Sequence, residues 1–251
     1  MKFKCRFCDN SISYPFLDLG FSPPSNNYLN RNQLYCEEVH YPLKVYFCKK
    51  CYLVQNHTFV PKYELFNQNY HYLSSFSTSW LDHCKNYTIL IERKLNLKKD
   101  SKIIEIASND GSLIQFFDTK YNVLGIEPTK NTAKIAKSKG LKIYENFLTN
   151  KNAKDIIKKF GKADLVIGNN VLAHVPDIDD FIKGAKNILK INGTINFEFP
   201  HLYNLIKFNQ FDTIYHEHYS YISILFLQKL LKKNNLKLYN IEKINTHGGS
   251  L

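Results

Sequence analysis

The stretch FDTIYHEHYSY, residues 211–221, packs two histidines, a glutamate and three tyrosines into the seven residues from Tyr215 to Tyr221. Imidazole titrates nearest neutral pH, which makes it the usual side chain for removing a proton. A neighbouring phenol or second imidazole can donate to the oxyanion that forms when a carbon next to a carbonyl is deprotonated. Three readings stand on local grounds: a base catalyst, a metal site, or the polar rim of an aromatic core. His216 and His218 lie two apart and share one side of an extended segment, but no third ligand is obvious for a metal.

Four of the six cysteines form two pairs, Cys5-x-x-Cys8 and Cys48-x-x-Cys51. A C-x-x-C turn brings two thiolates to one ion at about 2.3 Å, and two turns complete a tetrahedron. The basic residues inside each pair, in CRFCDN and CKKCYLVQ, favour thiolate over thiol. Zinc with four cysteines has no open position, so such a site folds its module and performs no chemistry. Disulfides are the alternative, and a reducing compartment disfavours them. Cys36 and Cys84 are left over; Cys36, His40 and His57 could substitute as ligands. Between the pairs, the Pro-Pro-Ser-Asn-Asn run in LDLGFSPPSNNYLNR is a loop signal. It reads equally as a simple turn or as a polar loop that presents hydrogen bonds to a ligand.

These residues sit in a chain of 251 residues, 44% hydrophobic and 14% aromatic, enough for one large or two small folded domains. The N-terminus lacks the apolar core of a secretory signal, and the longest apolar run, near ISILFLQKLL, falls well short of the roughly 20 residues that span a bilayer. A cytoplasmic protein with no membrane partner is expected. The net charge of +12 raises a nucleic-acid reading. The lysines are scattered over helix surfaces (KNTAKIAKSKG, KDIIKKFGK) with no compact basic block, so nucleic acid is set aside as a partner.

Positioning falls to the elements that begin near residue 100. Short apolar runs, KIIEIA (102–107), YNVLGIE (121–127), LKIYE (141–145), ADLVIGN (163–169), GTINFEF (193–199) and LKLYNIEKI (236–244), alternate with segments of helical spacing. The alternation predicts an α/β fold with a parallel sheet covered on both faces, whose ligands bind at the carboxyl ends of the strands. The expected organisation is a zinc-binding domain over 1–68, a helical connector over 69–98 and a nucleotide-binding domain over 99–251.

The end of the first strand, EIASNDGSL, resembles the acidic-x-Gly-x-Gly-x-Gly loop of class I S-adenosylmethionine (SAM) methyltransferases. Glu105 is the acidic residue, Gly111 the last glycine, and Ala107 and Asn109 stand where glycines are usual. Glu127, ending the second strand, suits both ribose hydroxyls. Asn169 and Asn170 close the fourth strand and can meet the methionine moiety. An NAD-type domain is the nearest rival; it would need more glycines to cradle a pyrophosphate.

The chain as a whole resembles a bacterial family of SAM-dependent sugar C-methyltransferases. The resemblance lies in the two cysteine pairs, LDLGFSPPSNNYL, YHYLSSFSTSW, EIASNDGSL, GIEPT, NNVLAHVPD, FDTIYHEHYSY and HGGSL. It implies a Rossmann-like class I sheet with a small N-terminal zinc domain, and SAM and structural zinc as cofactors. It further implies methylation of a carbon alpha to a ketone on a nucleotide-linked deoxysugar. His174, Tyr215, Glu217 and His218 would line the catalytic pocket, with His218 the leading base and Glu217 orienting an imidazole; Tyr72 and Ser75 would help hold SAM. A monomer or weak oligomer is expected. The family continues past HGGSL, so the last strand of the sheet and a C-terminal domain are expected to be missing, with activity impaired. The alternative is an inactive zinc and SAM-fold binding module, associated with nucleic acid through its basic surface.

Overall fold

The structure is a computed structural model that describes residues 3–57, 59–67 and 70–251. Along the chain the strands and helices are β1 (Phe3–Lys4), β2 (Ser11–Ile12), β3 (Leu17–Ser22), β4 (Tyr41–Phe47), β5 (Val54–Asn56), α1 (Lys62–Leu65) and α2 (Thr78–Leu95). There follow β6 (Lys102–Ile106), β7 (Asn122–Ile126), α3 (Lys130–Ser138), β8 (Ile143–Tyr144), α4 (Ala153–Phe160), β9 (Ala163–Asn169), α5 (Ile178–Asn187), β10 (Leu189–Glu198), α6 (Leu202–Lys207), β11 (Ser220–Tyr221) and α7 (Ile224–Lys233). They form two compact units: Met1–Leu65 with Asn170–Asp179 and Glu198–Leu251, and Phe66–Asn169 with Asp180–Phe197.

In the second unit a five-stranded sheet runs in the order β10-β9-β6-β7-β8. The β6–β7, β7–β8 and β6–β9 pairs are parallel, as the alternation of strands and helices predicts. Continuous apolar runs make these strands fully buried: Ile103, Ile104, Leu165, Val166 and Ile167 have no exposed surface. Helix α2 starts where the Ser77 hydroxyl accepts the Trp80 amide, a side-chain cap for an otherwise orphaned donor. It buries Cys84, Thr88 and Ile91, spaced four and three apart on one face. Cys84 and Ile91 join Ile103, Leu113, Phe117 and Leu165 in one apolar cluster. Glycine is required at Gly125, because a Cβ there would collide with the Ser108 side chain.

The first unit holds a four-stranded antiparallel sheet, β11-β5-β4-β3. Leu43, Val45 and Val54 cluster with Leu202, Ile214 and Tyr221, so its core joins the two ends of the sequence. Two local expectations change. Residues 236–244 form no strand: Tyr239 and Ile241 stay exposed, and only Ile244 makes an isolated bridge, to Ser250. Strand propensity is realised only where a ladder and a buried face are available, and here neither is. The HGGSL segment does pair antiparallel, with Phe199 and Leu251 exchanging amide–carbonyl bonds of 3.0 and 3.1 Å. The LKIYE strand shortens to the two residues of β8.

Candidate active site and metal centre

In the second unit the loop after β6 carries the backbone of a glycine-rich turn with few glycines. Ala107, Asn109 and Gly111 all have positive φ, 58°, 50° and 79°. Asparagine tolerates this left-handed region, whereas alanine is held there at a cost of about 1–2 kcal/mol. Gly111 is needed twice over, because a Cβ would also strike Leu141. Glu127 is 4% exposed, and its carboxylate accepts from the Asn109 amide at 2.9 Å, the Thr129 amide at 2.8 Å and the Thr129 hydroxyl. Burial raises the Glu127 pKa, and the Thr129 and Asn109 donors offset part of that rise.

Asn109 also fixes the segment before α2. Its side chain accepts from the Ser74 amide at 3.0 Å and donates to the Tyr72 carbonyl at 3.1 Å. Tyr72 and Ser75 are thereby brought to the carboxyl end of the sheet. Around this loop several buried polar atoms have no partner within the protein: Glu105 Oε2, Ser108 Oγ, and both amide atoms of Asn169. Such groups are rare in folded chains and mark a place where a polar ligand completes the set. Burial pushes the Glu105 carboxyl well up. A cofactor with ribose hydroxyls, an ammonium and a carboxylate fits these donors and acceptors.

In the first unit the catalytic candidates meet on a turn. The His218 amide bonds the Tyr215 carbonyl at 3.1 Å, so the two side chains lie on one side three residues apart. His218 Nδ1–H donates to the Thr213 carbonyl at 2.8 Å, which leaves Nε2 to accept from the Tyr215 hydroxyl, also at 2.8 Å. His174 stands edge-on to His218 with ring centroids 4.6 Å apart. Burial pushes His218 down to about 4 and His174 well below the ordinary range, the latter reinforced by the neighbouring His218. Both rings are therefore neutral at neutral pH, with a lone pair to offer.

Glu217 is 1% exposed, and its carboxylate accepts from Ser25 at 3.0 Å and Asn26 at 2.8 Å. The polar loop between the cysteine pairs thus holds the Glu217 carboxylate, while the His174 ring bonds the Glu217 backbone. His216 turns to the Tyr41 carbonyl at 3.3 Å while His218 turns to Thr213. They are not arranged as a metal pair; among the described residues the one clustered metal-ligand set is cysteine. Asn170, opening this unit's second segment at φ 54°, lies 3.3 Å from His247 Nδ1 through its Nδ2.

The four sulfurs of Cys5, Cys8, Cys48 and Cys51 lie within 4.8 Å of one another. Cys5–Cys51 and Cys8–Cys48 separations are 3.5 and 3.6 Å, too long for disulfides and close to the roughly 3.8 Å edge of a tetrahedron with 2.3 Å zinc–sulfur bonds. Each knuckle closes through a residue of positive φ just after its second cysteine, Asp9 and Tyr52. The Cys51 thiol donates toward Cys5 and lowers the Cys5 pKa while its own rises. The set fits zinc. Cys36 and His40 instead bond nearby carbonyls, and His57 stacks on Phe59.

Residues 83–241 match the family described as "Methyltransferase domain". The chain belongs to the methyltransferase-domain family. Residues 5–66 match the domain described as "Putative zinc binding domain". C-methyltransferase NovU of Streptomyces niveus is 30% identical over 249 residues, which are 99% of this chain and 59% of NovU. The chain spans under two-thirds of the length of that curated relative. Among solved structures, YcgJ from Bacillus subtilis aligns at a TM-score of 0.51 and 14% identity, covering 65% of this chain and 72% of its own. Magnesium protoporphyrin IX methyltransferase from Synechocystis PCC 6803, solved with bound SAH, aligns at 0.51 and 16%, covering 68% and 79%. SAM and zinc are the cofactors that accompany this methyltransferase family match and its cysteine cluster.

Two residues that sequence reasoning missed hold the backbone around the histidine turn. Asn56 donates to the Tyr215 carbonyl at 3.0 Å and the His218 carbonyl at 2.9 Å, pinning the turn from inside. Nothing in its sequence context signals that. Arg6 was legible only as a charge between two cysteines.

Proposed function

We propose that the chain transfers a methyl group from SAM to a carbon alpha to a ketone of a nucleotide-linked deoxysugar, through an enolate made by its own base. The observation that carries this reading is the relay from Tyr215 hydroxyl to His218 Nε2 and from His218 Nδ1 to Thr213 carbonyl. It fixes one tautomer and puts the basic lone pair of a buried imidazole against a phenolic proton. Transfer to oxygen or nitrogen needs less of this apparatus. NovU, named a C-methyltransferase, supports the carbon acceptor; the sugar rests on the resemblance carried by the YHEH and HGGSL segments.

SAM supplies an electrophilic methyl group. Glu105, Ala107, Asn109, Gly111, Glu127 and Asn169, with Tyr72 and Ser75, would hold it, and Glu127 would take the ribose. When Tyr215 turns its proton to the developing oxyanion, the Nε2 lone pair of His218 is released for the carbon proton. The negative charge of the enolate then raises the basicity of the imidazole that burial had lowered. His174 assists as the neighbouring neutral imidazole, and Glu217 fixes the Ser25–Asn26 loop. Zinc at Cys5, Cys8, Cys48 and Cys51 is structural.

The test is a methyl-transfer assay with labelled SAM over a panel of nucleotide-linked 4-keto sugars, with solvent-deuterium exchange at the alpha carbon read alongside. Exchange and transfer on one sugar support the reading. SAM binding without exchange on any sugar returns the chain to a binding module. Independently, Glu127→Ala is expected to weaken SAM by about 1.5–3 kcal/mol, the worth of hydrogen bonds to a charged group. Calorimetry showing unchanged affinity would remove Glu127 from the ribose.

A further inference from the structure

Arg6 lies inside the first cysteine pair, and its guanidinium leaves the metal knuckle altogether. Nη1 donates to the Pro176 carbonyl at 2.5 Å and the Val175 carbonyl at 3.4 Å. Nη2 donates to the Tyr219 carbonyl and, at 3.0 Å, to the Ser220 hydroxyl. Those four acceptors belong to two segments far apart in sequence: one begins just after His174, the other just after His218. The opposite end of Arg6 is tied to the cysteines. Its amide donates to Gln55 Oε1 at 3.0 Å, and Gln55 Nε2 donates to Cys5 Sγ at 3.2 Å. Gln55 is fully buried and pairs in register with Ser220 across β5 and β11.

We propose that Arg6 is a positioning residue that fastens both histidine-bearing segments to the cysteine knuckle, so that the metal state sets the His174–His218 geometry. The planar fork of arginine suits the task, since it spans two backbones at once with fixed donor directions. Two imidazoles whose ring centroids lie 4.6 Å apart keep that arrangement only if both backbones are held, and a base misplaced by about 1 Å costs on the order of 10²-fold in rate. A site described as purely structural thereby gains a line to the chemistry without touching substrate. The proposal rests on the functional reading above only for its rate readout.

The experiment compares the full zinc-loaded chain with Arg6→Met and Arg6→Lys. Expected for Arg6→Met are unchanged zinc content, SAM affinity within about twofold, and a turnover drop of about 10- to 100-fold with little change in the KM for the keto sugar. NMR titration of the histidine ring protons should show the His218 transition moving up toward the ordinary imidazole range, with partial return in Arg6→Lys. Chelating the metal should shift the same signals in the parent chain. Unmoved histidine titrations and unmoved turnover in a zinc-loaded Arg6→Met would overturn the proposal. If the parent chain transfers no methyl group, the enzymatic reading falls, and the histidine titrations still decide the role of Arg6.

Discussion

His218→Asn is expected to leave SAM affinity intact and to lower turnover by about 10²- to 10⁴-fold, the usual worth of a positioned base. Asparagine keeps a donor near the Thr213 carbonyl but offers no basic nitrogen to Tyr215. Exchange of the alpha proton with solvent should slow in parallel, which assigns the loss to deprotonation and not to methyl transfer. Tyr215→Phe should also reduce exchange, through the lost donor to the oxyanion. Should both variants keep full exchange and turnover, the base lies elsewhere and the cluster is structural.

The same histidine sets an acid signature. Its folded pKa of about 4 lies below the unfolded value near 6.5. Between those two values the unfolded chain binds the extra proton, so the contribution is complete above pH 6.5 and is lost as pH falls from there toward 4. For one group the span is at most about 3 kcal/mol. Measured with zinc in excess, since protons compete for thiolates, His218→Asn should lose less stability over that interval than the parent. The acid limb of kcat/KM should lie below the ordinary imidazole range.

Removing zinc is expected to have the largest effect on stability. With the metal gone, sulfurs from two distant turns, three of them buried, have no common partner, and structural zinc contributes its binding free energy directly to folding. Chelation, or Cys48→Ser, should abolish hydrogen-exchange protection in β3, β4, β5 and β11. Trp80, the sole tryptophan, packs against the apolar cluster of the other unit, so its fluorescence should hold and separate local loosening from global unfolding. One zinc per chain is expected in the parent. Full protection of those four strands after complete metal removal would show that the knuckle is dispensable.

The parallel sheet was legible because buried strands write uninterrupted apolar runs: ADLVIGN gives the bounds of β9 with no correction. The cysteine pairs were legible because ligand chemistry fixes spacing. LKLYNIEKI misled because β-propensity does not say whether an edge is available. The turn linking Tyr215 and His218 followed from i and i+3 spacing, but its tautomer came from Thr213, a carbonyl that no side-chain pattern announces. The Glu217 carboxylate bonds Ser25 and Asn26, partners that depend on tertiary approach and that no spacing announces. Arg6 and Asn56 act mainly on backbone carbonyls, which carry no identity in sequence, so their roles appear only in three dimensions.

The pairing of β5 with β11 ties Gln55 to Ser220, and this orders events during synthesis. All four metal ligands have been made by Cys51, but the strand that completes their sheet is still to come. At about 5–20 residues per second, that interval lasts on the order of ten to thirty seconds. Meanwhile the open side of β5 presents unpaired amides and carbonyls, the kind of edge that recruits foreign strands. Contacts so distant in sequence also close slowly once available. The turn bearing Tyr215 and His218 immediately precedes β11, so a nascent chain acquires this turn only as the open side of β5 is sealed.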